Sequence, residues 1–316
     1  REQGKRIVII DPGHGWRDPG CQYYGMQEKT IVLDIARKLA YLIDQTDNMK
    51  AYLTRDGDYL PVMNKEDFFG SWIDVKKKSL DARVEFARRM HGHVFMSLHL
   101  NYCPGRKRRE KARGFEIWCL GENDSDRVYN SQIEDIDTTD LLAFQGDDPG
   151  SGLDDETGRL LFAMQRDITM EDNKIFVEIL KNELLKVPGL VPRDPPIKEF
   201  RLFRVLRNLS MPSALVEMAF LTNSADRNLL KTTEFRWELA RSLYRGLGNY
   251  FETLSDSNLY DETKFQIAKV SVPKEDYRIH VVRRGENLFD IAQRFRTDVS
   301  TLQRINNKGR GTTIYV

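Results

Sequence analysis

The sequence predicts an α/β fold, a mostly parallel twisted sheet flanked by helices, with a small second domain after it. Three observations carry this reading. Short β-branched apolar runs, each the length of a buried strand, recur at residues 7–10, 94–101 and 214–221. Segments with a helical period stand between and after them, and strands alternating with helices favour a parallel sheet. The chain is 316 residues long and 40% hydrophobic, which is enough for about two domains, each with a core.

The first strand stops at Asp11-Pro12-Gly13, because proline cannot continue a ladder and glycine permits a turn. His14 follows at once, so it stands just beyond a strand's C-terminal end, the edge where open α/β sheets bind ligands. Glu28 then opens an amphipathic segment that places Val32, Ile35, Ala36, Leu39 and Leu42-Ile43 on one face. A lone histidine beside a glycine turn is more often a turn residue than a ligand. Two further stretches shift that balance. In residues 94–101, alternation puts Ser97, His99 and Asn101 on one face of a strand. In residues 214–221, Glu217 is the one carboxylate in apolar surroundings, which is costly unless it is paired or metal-bound.

Between these stretches, residues 49–54 read as a second strand ending at Arg55-Asp56-Gly57-Asp58. Residues 61–78 read as irregular and aromatic, and residues 79–90 as a helix. His91 and His93 precede the third strand rather than end it, so they are not read as ligands. Residues 105–113 carry six basic side chains and one acidic one. They form either a solvated loop or a cationic rim beside the site, and they lack the interleaved aromatics of a nucleic-acid surface. Residues 115–120 read as the next strand. Residues 121–156 hold twelve acids and one arginine, and helical patterns return at 160–164 and 173–185. A helix over 234–252 closes the first domain, residues 253–277 are polar and read as a linker, and residues 278–316 form a second module.

The motifs DPGHGWRDPG, Glu28, SLHLN and VEMAFLTN, in that order over residues 5–252, resemble the zinc-dependent N-acetylmuramoyl-L-alanine amidases of the family-3 type. The resemblance implies cleavage of peptidoglycan between the lactyl group of muramic acid and the first residue of the stem peptide. It implies Zn2+ held by His14, Glu28 and His99, with Glu217 as the catalytic glutamate. Two histidines and one glutamate leave a fourth position open, as in catalytic rather than structural zinc sites. Arg55 resembles the family's threonine-arginine turn and is expected either to order the site or to be a solvated turn arginine. Asn101 or backbone N–H groups are candidates to hold an oxyanion.

The acidic insert resembles, by location, the regulatory helix of the cell-division amidases. Glu134 and Asp135 are the candidate autoinhibitory carboxylates, released when an activator protein binds. The alternative is an acidic surface loop without that role. In the tail, HVVRRGENLFDIAQRFRTDVSTLQRINN resembles a LysM module of βααβ order that binds N-acetylglucosamine, with its last strand cut short at Val316. His280 reads as a strand residue there. Two rival readings remain: another zinc peptidase or amidohydrolase on this scaffold, and a non-catalytic wall-binding protein.

A net charge of +1 gives no global argument for nucleic acid or membrane, and no apolar run approaches the ~18 residues of a spanning helix. No signal peptide stands at Arg1, but the chain lacks an initiating methionine. The resemblance implies export to the periplasm or cell wall. Cys21, Cys103 and Cys119 are an odd number, so at least one thiol is free in a monomer. A bridge from Cys103 to Cys21 or to Cys119 and three free thiols both remain open.

Overall fold

The computed structural model describes residues 4–121, 155–199, 203–207 and 210–256, together with Ile291 and Leu302. Two compact units divide the chain, Arg1–Val270 and Ser271–Val316, and the architecture below is that of the first. The insert residues Glu134 and Asp135 and nearly all of the LysM-like tail, His280 included, lie outside the described residues. No helix among the described residues is long and apolar enough to cross a membrane.

A six-stranded sheet forms the centre. Its strands are β1 (Arg6–Pro12), β4 (Met49–Leu53), β5 (Val94–Asn101), β6 (Phe115–Cys119), β7 (Pro192–Glu199) and β8 (Ser213–Phe220), in the order β4-β1-β5-β8-β6-β7. A separate two-residue hairpin, β2 (Gln22–Tyr23) with β3 (Met26–Gln27), stands between β1 and the first helix. Strands β4, β1, β5 and β8 run parallel. β6 runs antiparallel to β8 and parallel to β7. The sheet is therefore mostly parallel, as the alternation of patterns predicts. Residues 192–199 escape sequence reading because three of the eight are proline. Proline is tolerated only where a ladder position is free, and β7 is an edge strand.

Helices cover both faces. α1 (Glu28–Asp44), α4 (Asp155–Leu184) and α6 (Thr233–Asp256) pack together on one face. In α1 the expected stripe is buried, and Leu33 and Ala40 are buried beside it. α2 (Trp72–Arg89) covers the other face, where Ala87 joins Ile9, Phe95 and Leu215 of three strands, with Leu206 and Met211, in one apolar cluster. α2 starts seven residues before the expected 79, because Ser71 caps it by accepting a hydrogen bond from the Asp74 N–H at 3.2 Å. The aromatic composition of residues 61–78 hides that start. The two helical patterns after residue 160 belong to one helix, α4, and the closing helix continues to Asp256, four residues past the expected end. One turn, α3 (Arg106–Arg109), and α5 (Ser224–Lys231) complete the unit.

Candidate metal centre and active site

Local chemistry builds the site at the C-terminal ends of β1 and β5. Asp11, 1% exposed, ends the apolar run of β1. Its carboxylate accepts hydrogen bonds from Thr54 Oγ1, Arg83 Nη1 and, at 2.7 Å, Ser97 Oγ. These partners outweigh the effect of burial and hold Asp11 below the usual carboxylate range. Arg83 also donates to the carbonyls of Pro12 at 2.9 Å and His14 at 2.7 Å. Arg55 is fully buried and not solvated. It donates to the carbonyls of Pro12 at 2.8 Å, Gly13 at 2.7 Å and Lys29 at 2.9 Å. Burial lowers its pKa to about 10. Two arginines thus hold the His14 loop by its carbonyls.

That loop passes through left-handed backbone at His14 (φ 65) and Gly20 (φ 64). A Cβ on Gly20 would lie 2.4 Å from Glu28 Oε2, and one on Gly13 2.2 Å from the His99 ring, so only glycine lets the backbone close over these side chains. The loop also caps α1. The Gln27 side chain makes no cap, and Glu28 N–H donates instead to the carbonyl of Cys21 at 2.9 Å and Lys29 N–H to that of Pro19 at 3.1 Å.

His14, Glu28 and His99 converge. His14 Nε2 and His99 Nδ1 each lie 3.0 Å from Glu28 Oε1, and one ligand atom from each residue falls within 4.8 Å of the others. The Glu28 carboxylate also accepts from Cys21 N–H at 2.7 Å and Leu100 N–H at 2.9 Å. Burial would raise its pKa, but the two histidines hold it well below the usual range. The other nitrogen of His14, Nδ1, lies 3.1 Å from Asp18, whose carboxylate is also 2.9 Å from Lys76 Nζ. Burial works to lower the His14 pKa, but Asp18 and Glu28 prevail and raise it to about 9. Two imidazoles and a carboxylate with converging donor atoms, one imidazole with a further carboxylate beside it, fit a divalent cation with a preference for nitrogen and oxygen ligands.

Glu217 stands in register with His99 on one side and with Glu116 on the other. Its Oε2 is buried and has no hydrogen-bond partner among the described residues. Burial first, then the charges of Glu28 and Glu116, raise its pKa well above the carboxylate range, and His14 acts against them. The Asn101 side-chain amide donates to Glu116, so it is turned toward that carboxylate. Lys198 Nζ also pairs with Glu116. Cys21, Cys103 and Cys119 are all free thiols.

Sequence reading missed Asp11, Asp18, Arg83 and Glu116. An aspartate inside an apolar run was a signal for the first. Arg83 and Glu116 act through contacts between separate elements, and Asp18 meets His14, four residues before it, only once the loop is folded.

Comparison with known proteins places this geometry. Residues 8–249 match the N-acetylmuramoyl-L-alanine amidase family and residues 280–316 the LysM domain. The probable N-acetylmuramoyl-L-alanine amidase AmiB of Haemophilus influenzae is 26% identical over 96% of this chain and 70% of its own length. The amidase AmiC of Escherichia coli is 30% identical over 78% of this chain, which spans 52% of that protein. The CwlD amidase of Clostridioides difficile, solved in complex with the GerS lipoprotein, shares the fold at a TM-score of 0.58 and 21% identity, covering 79% of this chain and all of its own. The amidase AmiC2 of Nostoc punctiforme aligns at a TM-score of 0.50 and 25% identity, covering 78% of this chain and 98% of its own. The chain belongs to the N-acetylmuramoyl-L-alanine amidase family of peptidoglycan hydrolases and carries a LysM domain over residues 280–316.

Proposed function

We propose that this chain hydrolyses the amide between N-acetylmuramic acid and L-alanine, using one zinc ion held by His14, Glu28 and His99 and Glu217 as general base. The convergence of both histidines on Glu28 Oε1 at 3.0 Å, with Glu217 in register beside His99, carries the reading. Zinc in such a set makes water more acidic and polarises a carbonyl. Asp18 stands 3.1 Å from the second nitrogen of His14, and Arg55 and Arg83 hold the loop that presents the ring. Glu217 takes the proton of the attacking water and delivers it to the leaving amine nitrogen. Its burial matters, because loss of water around the carboxylate raises its affinity for the proton it takes up.

We propose further that residues 5–252 are the catalytic domain, that residues 253–277 contribute the linker, and that the module at 278–316 binds N-acetylglucosamine. The setting is the periplasm or cell wall, in wall remodelling or daughter-cell separation. The acidic insert at 121–156 holds the enzyme back through Glu134 or Asp135 until an activator binds it. Removing residues 125–152 is then expected to raise basal hydrolysis at least about tenfold, near 1.4 kcal/mol. A folded, metal-loaded variant with an unchanged rate would remove the plug.

Mass spectrometry of products from purified sacculi tests the main reading. The expected products are free stem peptides with an L-alanine amino terminus and glycan chains with bare lactyl groups. Cleavage within the stem peptide would identify a peptidase instead.

A further inference from the structure

A pair of arginines beside the metal centre has no role in the chemistry above. Arg109 and Arg227 both pack on Tyr23, their guanidinium carbons 5.0 and 5.1 Å from its ring centre, and Arg227 lies 4.7 Å from that of Tyr24. Arg109 donates to Tyr23 OH at 3.1 Å and to the Cys103 carbonyl at 3.2 Å. Arg227 reaches the carbonyls of Thr222 at 3.3 Å and Leu221 at 3.4 Å. The support is rigid. Asn223 Nδ2 donates to the carbonyls of Arg109 at 3.0 Å and Glu110 at 3.1 Å, and so ties the basic turn to the end of β8. Neither guanidinium forms an ion pair with a carboxylate among the described residues, and the Arg227 Nε is buried without a hydrogen-bond partner. Two like charges sharing one ring favour an anion from outside.

The position says which anion. A groove of about 370 Å³, lined by Gly20, Cys21, Gln22, Glu28 and Tyr102, opens at Glu28. Tyr23 follows Gln22 directly, and Tyr102 directly precedes Cys103, whose carbonyl Arg109 holds at 3.2 Å. A peptide lying in this groove would therefore pass beside Gln22 and Tyr102, whose chain neighbours Tyr23 and Cys103 hold the arginines. An extended chain advances about 3.5 Å per residue, so a carboxylate on the second residue past the cleaved amide reaches about 7 Å from it. A planar guanidinium matches a carboxylate in two parallel hydrogen bonds.

We propose that Arg109 and Arg227, supported by Tyr23, form a subsite for a free carboxylate of the stem peptide. This rests on the amidase reading, so binding and turnover are measured separately on the full chain. The probes are two soluble disaccharide-peptides that differ only at the second residue, one with a free α-carboxylate and one amidated. Wild type is expected to bind the free acid about tenfold more tightly by calorimetry and to show a correspondingly lower KM. Arg109→Gln and Arg227→Gln are expected to erase that preference while the amidated probe binds as in wild type. Arg109→Lys restores part of it. Equal loss on both probes would assign the arginines to the fold and overturn the subsite, as would an unchanged preference in both variants. Competition by inorganic phosphate as strong as that by the acidic probe would also overturn it. A wild type that binds the acid selectively but cleaves neither probe would leave the subsite standing and sink the amidase reading.

Discussion

His14 sits in left-handed backbone at φ 65, a conformation that costs a non-glycine residue about 1–3 kcal/mol. Arg55 and Arg83 offset this by holding the carbonyls of Pro12, Gly13 and His14. A ligand and the base are expected to separate cleanly on mutation. His99→Ala should lose zinc, read by elemental analysis, and full occupancy would discard the ligand set. Glu217→Ala should keep zinc and lose about two to four powers of ten in turnover. Near wild-type rates would exclude Glu217. His93 belongs to stability rather than chemistry. Its Nδ1 accepts the Ile7 N–H at 3.0 Å, and burial first, then Arg6, lowers its pKa to about 4. A folded pKa below the unfolded value of about 6.5 means stability is full above pH 6.5 and falls as pH drops toward 4. Urea titrations at pH 7 and 5 should show wild type losing up to about 2 kcal/mol more than His93→Asn. Equal losses would mean that His93 takes no part.

At the scale of elements, the site depends on where strands and helices end. β1 and β5 deliver His14 and His99 at adjacent C-terminal ends, and α1 begins at Glu28 because the preceding loop supplies its cap. A bulge between His99 and Asn101 shifts the register next to Glu217. These ends were legible in sequence wherever an apolar run met a breaker, as at Asp11-Pro12-Gly13. They were hidden where a side chain sets the boundary, as at Ser71, or where an edge strand tolerates prolines, as in β7. Ser71→Ala is expected to cost about 1 kcal/mol by removing the cap of α2. A loss of unfolding free energy in urea titration below about a tenth of that would show the first turn to be held by packing instead.

The whole chain joins a hydrolase unit to a LysM domain. A chain ending after Asp256, which keeps the buried Tyr250 and Phe251 of α6, is expected to retain intrinsic amidase turnover on soluble substrate and to bind sacculi less well. Equal pull-down at matched salt would show that the tail is no anchor. Read alone, the sequence determined the α/β class, the strands that carry His14, His99 and Glu217, and the family, because apolar periodicity and short motifs are local properties of a chain. Tertiary structure decided the rest. It buried Arg55, chose α1's cap, set Glu116 across from Glu217, turned Asn101 away to that carboxylate and brought Arg109 and Arg227 to one tyrosine. Except for α1's cap, which the loop just before it supplies, each of these is a contact between residues of different elements, and its energy exists only once the fold has brought them together.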